Sequence, residues 1–208
     1  MIIAIDGPAA SGKGTLGKRL SEHYGFAHLD TGLLYRAVAR VLMDGNVPLD
    51  DRDAAAEVAQ NLDVSHLEDD SRLRGAAMGE AASVVSAYQP VRDALMAFQR
   101  QFSMQQPGAV LDGRDIGTMV CPDADVKLFI TAAPEERARR RHLELLRRGE
   151  QAEYETILED IRRRDERDMN RSTAPLKAAA DAVTLDTTDL DPDAAFQAAL
   201  TIIEAKHS

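Results

Sequence analysis

The sequence predicts an α/β fold in which a parallel sheet carries helices on both faces. Short apolar runs of three to five residues alternate with longer segments of helical period, and turn chemistry bounds each run. The first run passes through a glycine-rich turn straight into a helix, as parallel strands require at a crossover.

In chain order, Ile-Ile-Ala-Ile over residues 2–5 suits a strand buried on both faces. A helix is expected over 13–24, closed by Gly25 as its C-cap, and a second strand over 26–29. Asp30-Thr31-Gly32 punctuates that strand, and apolar residues recur at helical spacing over 33–43. Residues 44–70 then hold nine acids (Asp44, Asp50, Asp51, Asp53, Glu57, Asp63, Glu68, Asp69, Asp70) against one cation, Arg52, and read as a solvated face. Helices follow over 76–87 and 91–105, with Pro90 at the first turn of the latter. Strands are expected at 109–111 and 126–130. Pro134 opens a long Arg-rich helical stretch, 153–169 forms a second, 182–185 is the last strand and 193–205 the closing helix. No repeat or low-complexity linker interrupts this order, so one domain over 1–208 is expected.

Composition narrows the function classes. The net charge of −10 argues against a nucleic-acid polymer or an anionic membrane as partner. Yet 20 of the 25 cations are Arg, whose planar fork fits phosphate and carboxylate; an Arg-rich codon usage would give the same count. No apolar run approaches the ~18 residues of a membrane span. The N-terminus lacks the basic flank of a signal peptide and meets Asp6 too early, so a soluble cytoplasmic protein is expected. The single cysteine, Cys121, excludes an intramolecular disulfide and a Cys-rich zinc site, and reads as a small residue beside Pro122.

Gly7-Pro8-Ala9-Ala10-Ser11-Gly12-Lys13 matches G-x-x-x-x-G-K between a strand and a helix. Such a turn lets successive backbone N–H groups face phosphate oxygens, the following helix adds its positive end, and Lys13 supplies a mobile charge for β- and γ-phosphates. The next residue is Gly14 rather than Ser or Thr, and the hydroxyl comes one later, at Thr15. The direct metal ligands are therefore open. Gly-Lys-Gly-Thr resembles the nucleoside monophosphate kinases, and the chain has no Asn-Lys-x-Asp run with which a GTPase reads guanine.

Three further segments carry anion-binding chemistry. Thr31-Gly32-Leu-Leu-Tyr-Arg36 places a hydroxyl, a free backbone N–H and a guanidinium at one helix start. Asp112-Gly-Arg114-Asp115-Ile-Gly117 follows a short strand, where open α/β sheets bind ligands. Arg164, Asp168 and Arg171 fall four and three residues apart, on one helical face, although a salt-bridged surface helix carries the same pattern.

Ile5-Asp-Gly-Pro8, Gly12-Lys-Gly-Thr15, Leu29-Asp-Thr-Gly32 with Tyr35-Arg36, Asp112-Gly-Arg-Asp-Ile-Gly117, and Arg164-Asp-Glu-Arg-Asp-Met-Asn-Arg171 with Ala174-Pro-Leu176 occur in order at compatible spacing. Together they resemble the bacterial cytidylate kinases, from residue 2 to about 186. The resemblance implies a P-loop three-layer fold with a five-stranded parallel sheet, a substrate-binding insert (placed here at 44–107) and a mobile lid (137–152). It implies phosphoryl transfer from ATP, with Mg²⁺, to CMP or dCMP by a monomer. The loop residues 7–15 then hold ATP. Thr31, Arg36, Arg114 and Arg171 match residues that hold the CMP phosphate, Arg164 and Asp168 those near the ribose, and Ser83, Arg92 and Asp115 those that read cytosine. Lys13, Arg114 and Arg171 are the catalytic candidates. Between Leu62 and Ser83 the family carries a small antiparallel sheet, for which only a short polar stretch stands here.

An acceptor phosphate ionised near neutral pH needs no general base, so catalysis rests on alignment and charge neutralisation. Residues 137–171 hold eleven Arg against nine acids, and Arg139, Arg140, Arg147 and Arg148 are the lid candidates. A kinase for UMP, AMP or shikimate, and a nucleotide-binding regulator without transfer, are the alternatives at this point.

Overall fold

The computed structural model describes residues 1–65, 67, 71–73, 75–151 and 153–207. Glu68, Asp69 and Asp70 of the acidic run, and the last lid position, 152, lie outside the described residues.

Five strands, β1 (Ile2–Asp6), β2 (Ala27–Asp30), β3 (Ala109–Gly113), β4 (Val126–Thr131) and β5 (Val183–Asp186), form one sheet in the order β2-β3-β1-β4-β5. Every pairing is parallel, so the doubly covered sheet read from the sequence is the observed one. Register decides where chemistry gathers. Asp112 lies beside both Ile5 and Asp30, and Asp6 beside Gly113. Three carboxylates thus share the carboxyl edge of neighbouring strands, next to the point where strand order reverses from β1 outward.

Helix α1 (Lys13–Tyr24) and α8 (Pro192–His207) cover one face, where Leu16, Leu20, Ala199 and Ile203 pack on Ile3, Ile5, Leu128 and Ile130. Each such fully buried aliphatic side chain contributes about 1.5–3 kcal/mol relative to exposure. On the other face α5 (Gln89–Ser103) and a π-turn at Ile116–Val120 cover Ala4, Leu29, Ala109 and Leu111. Gly25 closes α1 with a left-handed φ of 66°, as read from the sequence.

A separate apolar cluster joins α2 (Thr31–Asp44), α3 (Arg52–Gln60), α4 (Ala76–Val85) and α5, with Leu34, Val38 and Leu42 fully or nearly fully buried along one stripe of α2. Here the structure bears out the solvated acidic face and adds what the sequence left open. The acidic segment contains a helix: Asp51 caps α3 by accepting from Ala54 N at 3.0 Å, and Ala55 and Ala59 are buried beneath an acidic outer face. Its six described acids are all exposed. Among the described residues of 44–107 no strand occurs, so helices replace the small sheet of the longer insert. Helix α6 (Pro134–Arg147) packs on α7 (Tyr154–Asn170) through Ala138, Leu145, Ile157, Leu158 and Ile161. Among the described residues no helix is long and apolar enough to cross a membrane.

Candidate active site

Residues 7–12 turn from the end of β1 into α1 under tight constraint. A Cβ on Gly7 would lie 2.1 Å from the Ile130 carbonyl oxygen of β4, so the loop approaches the sheet as only glycine permits. Gly12 adopts a left-handed φ of 89° at the helix N-cap, and Ala10 a φ of 57°. Among the described residues the buried Ser11 Oγ has no hydrogen-bond partner, beside the backbone N–H groups of this turn. Such a cradle suits anionic oxygens. Thr15, the displaced hydroxyl of the motif, is exposed at the rim.

Lys13 reaches back over the loop and donates to the Pro8 carbonyl at 3.2 Å. Burial and the neighbouring Arg114 push its ammonium down to about 7, against the pull of Asp112 and Asp30. Asp30 caps α2 by accepting from Gly32 N at 2.9 Å, so the N–H expected to be free at this helix start is already occupied. Burial, then Asp112, raise the Asp30 carboxyl. Thr31 donates to the Asp112 carbonyl at 2.8 Å, which leaves its oxygen lone pairs as the group it can offer. His28 holds one Asp112 oxygen at 2.8 Å, and the other lies 3.9 Å from where a Gly14 Cβ would stand.

Asp30 and Asp112 are the residues suited to a hard divalent cation. Among the described residues no group of three or more metal-ligating side chains exists. Mg²⁺ fits such a site when it arrives on a polyphosphate and retains its waters, since it needs only one or two carboxylates from the protein.

The acceptor side is a layered network. Asp168, 4% exposed, accepts from Ser83 Oγ at 3.0 Å and from Arg114 Nε at 3.0 Å. Three cations, Arg114, Arg171 and Arg164, hold its carboxyl below the ordinary range despite burial. Arg92 pairs with Asp115 in the buried wall and lies over the Tyr35 ring, 5.6 Å from its centroid. Arg171 donates to Ala174 O at 2.8 Å and Ser86 Oγ at 3.2 Å. Its backbone has left the helix (φ −62°, ψ 140°), so the shared face expected for Arg164, Asp168 and Arg171 ends at Asp168, and Arg171 enters from the cap.

Besides burial, the Arg114 charge lowers the pKa values of Lys13, Arg36 and Arg164, so these four cations crowd round one place. Arg36 donates to Leu73 O at 3.2 Å, and burial lowers its pKa. Burial and Arg114 push Arg164 down to about 10, and its Nε is buried without a partner. Clustered, desolvated and partly unpaired cations are what a phosphate would neutralise.

The lid candidates separate by direction. Arg139 pairs with Glu136 on the outer face. Arg140 also pairs with Glu136 and reaches Thr187 Oγ1 at 3.1 Å beside Gly12. Arg147 and Arg148 are exposed, and Arg148 pairs with Glu144. Sequence reasoning missed Arg137 and Arg141. Arg137, 3% exposed, donates to Ala9 O at 3.1 Å, to Ala132 O at 2.8 Å and to Asp165, tying the phosphate loop to α6 and α7. It also assigned no role to Asp30, Asp112 and Tyr35, although all three stand inside the motifs.

Asp6 supports this arrangement from below. Its two oxygens accept from Ile116 N at 2.7 Å and Gly117 N at 2.8 Å, which folds the π-turn after Asp115 and aims that side chain inward.

Comparison with known proteins agrees with this geometry. A family model described as cytidylate kinase matches residues 3–205. A cytidylate kinase of Rhodopseudomonas palustris (strain BisB5) is 60% identical over 205 residues, 99% of this chain and 96% of that one. Another, of Methylocella silvestris, is 59% identical over 207 residues, 100% of this chain and 95% of that one. An uncharacterized protein from Eubacterium ventriosum, 17% identical, shares the fold with a TM-score of 0.59 over 99% of both chains. A family model over nearly the whole chain and relatives about 60% identical end to end place it: the chain belongs to the cytidylate kinase family.

Proposed function

We propose that the chain transfers the γ-phosphoryl group of ATP to CMP or dCMP, giving ADP and CDP or dCDP. The observation that carries this reading is the pairing of two anion sites in one cleft. The loop of residues 7–15 with Lys13 stands on one side, and Arg36, Arg114, Arg164 and Arg171 on the other. A nucleotide switch needs the first; a phosphate-to-phosphate kinase needs both.

In the proposed reaction the loop N–H groups and Lys13 hold the ATP phosphates. Mg²⁺, bound with ATP, supplies positive charge at the phosphate oxygens, and Asp30 and Asp112 would hold it. Arg36, Arg114 and Arg171 orient the CMP phosphate, and Thr31 joins them by turning its hydroxyl proton from the Asp112 carbonyl to a phosphate oxygen; Arg164 and Asp168 contact the ribose, and Ser83, Arg92 and Asp115 recognise the base. The CMP phosphate is largely ionised above pH ~6, so its oxygen attacks in line without a general base. The arginines neutralise repulsion between the two phosphate groups. Base choice follows from Asp115. With Oδ2 committed to Arg92, Oδ1 remains able to accept from the cytosine 4-amino group, where uracil would present a second acceptor. The two sites are complete within one chain, which supports a monomer as the working unit.

An ADP-release assay over CMP, dCMP, UMP, AMP and shikimate tests the reading. Turnover with CMP and dCMP at least tenfold above the others is expected. Equal turnover with UMP or AMP, or ATP binding without acceptor-dependent turnover, would overturn it.

A further inference from the structure

Helix α6 carries a charge arrangement that the proposed reaction leaves unexplained. Arg137, in its first turn, touches the Ala9 carbonyl and thereby fixes which face of α6 looks at the phosphate loop. Arg141, Glu144 and Arg148 follow at four, seven and eleven residues, along that same face. Glu144 is gripped from both sides, by Arg141 Nη1 on Oε2 and by Arg148 Nη2 on Oε1, each at 2.6 Å. The Arg141 side chain is 19% exposed, whereas that of Arg139, in its outward pair with Glu136, is 59% exposed. Arg36, on α2 across the cleft, feels the charges of both Arg141 and Glu144.

One carboxylate between two guanidiniums and near a third gives them an anionic acceptor, as a phosphoryl group would. We propose that Glu144 is a positioning residue that competes with the transferring phosphoryl group for Arg141 and Arg148. It holds the Arg141 and Arg148 guanidiniums as an internal partner that phosphoryl oxygens displace. Arg141 is then the lid residue that touches the reacting phosphate. The exchange runs downhill because a partly exposed pair three or four residues apart on a helix is weak, whereas a phosphoryl group in a closed, dehydrated cleft binds the same forks strongly. No bond is made or broken by Glu144; it changes partners only. The proposal rests on the kinase reading and extends it to the lid.

The test measures binding of a bisubstrate analogue, adenosine and cytidine joined through a polyphosphate, by calorimetry alongside steady-state kinetics. Glu144→Gln removes the charge and keeps the shape. It is expected to bind the analogue two- to fivefold tighter, and Glu144→Ala to do the same. Arg141→Ala is expected to lose about a hundredfold or more in kcat with a smaller change in KM for CMP. Arg141→Lys should restore part of the lost kcat. The gain from Glu144→Gln should vanish when Arg141 and Arg148 are both alanine. Unchanged or weaker binding by both Glu144 variants would overturn the proposal, as would an equal gain without the two arginines. If the wild-type protein neither binds the analogue nor turns over CMP, the kinase reading fails and takes this proposal with it. Wild-type turnover with inert Glu144 variants would refute the proposal alone.

Discussion

Asp115 accepts from Arg92 in the buried wall of the cleft while its second carboxylate oxygen lies 3.9 Å from Arg171 Nη2. One oxygen is therefore fixed and the other is held loosely. This asymmetry leads to a specificity prediction. Asp115→Ala would leave Arg92 charged and unpaired in the interior, at a cost of about 3–5 kcal/mol, so lost activity would merge with lost stability. Asp115→Asn keeps the volume and offers an amide that can donate to uracil as well as accept. The CMP/UMP ratio of kcat/KM is expected to fall by at least tenfold in that variant. Equal losses for CMP and UMP would remove Asp115 from base recognition.

Lys13 links pH to ATP binding. Burial and Arg114 depress its ammonium to about 7, so above pH 7 the neutral form predominates until an anion binds. Triphosphate restores the charge and raises the pKa toward its ordinary value. ATP binding must then take up a proton between about pH 7 and the pKa of the complex, and affinity must decline as pH rises through that window. Calorimetry at pH 8 in two buffers of different ionisation enthalpy should give different heats, converging near pH 6. Lys13→Met should abolish the difference. Identical wild-type heats at pH 8 would contradict the depressed value.

Asp6 and the π-turn give a stability prediction. Both oxygens accept buried N–H groups, from Ile116 and Gly117. Asn can accept through only one atom, so Asp6→Asn leaves one buried donor unpaired, at a cost of about 1–3 kcal/mol. The loop carrying Arg114 and Asp115 loosens with it. A lower melting temperature together with a higher KM for CMP is expected; a lower melting temperature with unchanged KM would separate Asp6 from the acceptor loop.

Strands, phosphate loop and motif positions were legible because each rests on local pattern: apolar runs, glycines and charged residues at short spacing. What was hidden depends on direction. Arg139, Arg140 and Arg141 are adjacent in sequence but about 100° apart around the helix, so a count of charges could not tell that Arg139 points outward while Arg141 lies along the Arg137 face. Arg171 shares the α7 spacing but not its backbone conformation, which only the cap geometry reveals. The Gly32 N–H was expected to be free because Asp30 was read as punctuation rather than as a cap. Helix α3 disappeared beneath its own acidity, although Ala54, Ala55, Ala56 and Ala59 carried the helical signal.

Arg137 and Asp165 join stability to function in a separable way. Their pair is buried, and Arg137 also donates to Ala9 and Ala132 carbonyls. Arg137→Ala strands a buried carboxylate, costing about 3–5 kcal/mol, or roughly 6–20 °C in a protein of this size. Replacing both partners by apolar residues of similar volume, Arg137→Met with Asp165→Leu, removes the charge problem and should recover most of that loss. It does not restore the hydrogen bond to Ala9, which lies within the phosphate loop. The double variant is therefore expected to melt near the wild type yet show a KM for ATP raised about three- to tenfold, with KM for CMP little changed. Such a split would assign Arg137 to positioning the loop. Full recovery of both stability and ATP affinity would make the pair structural only.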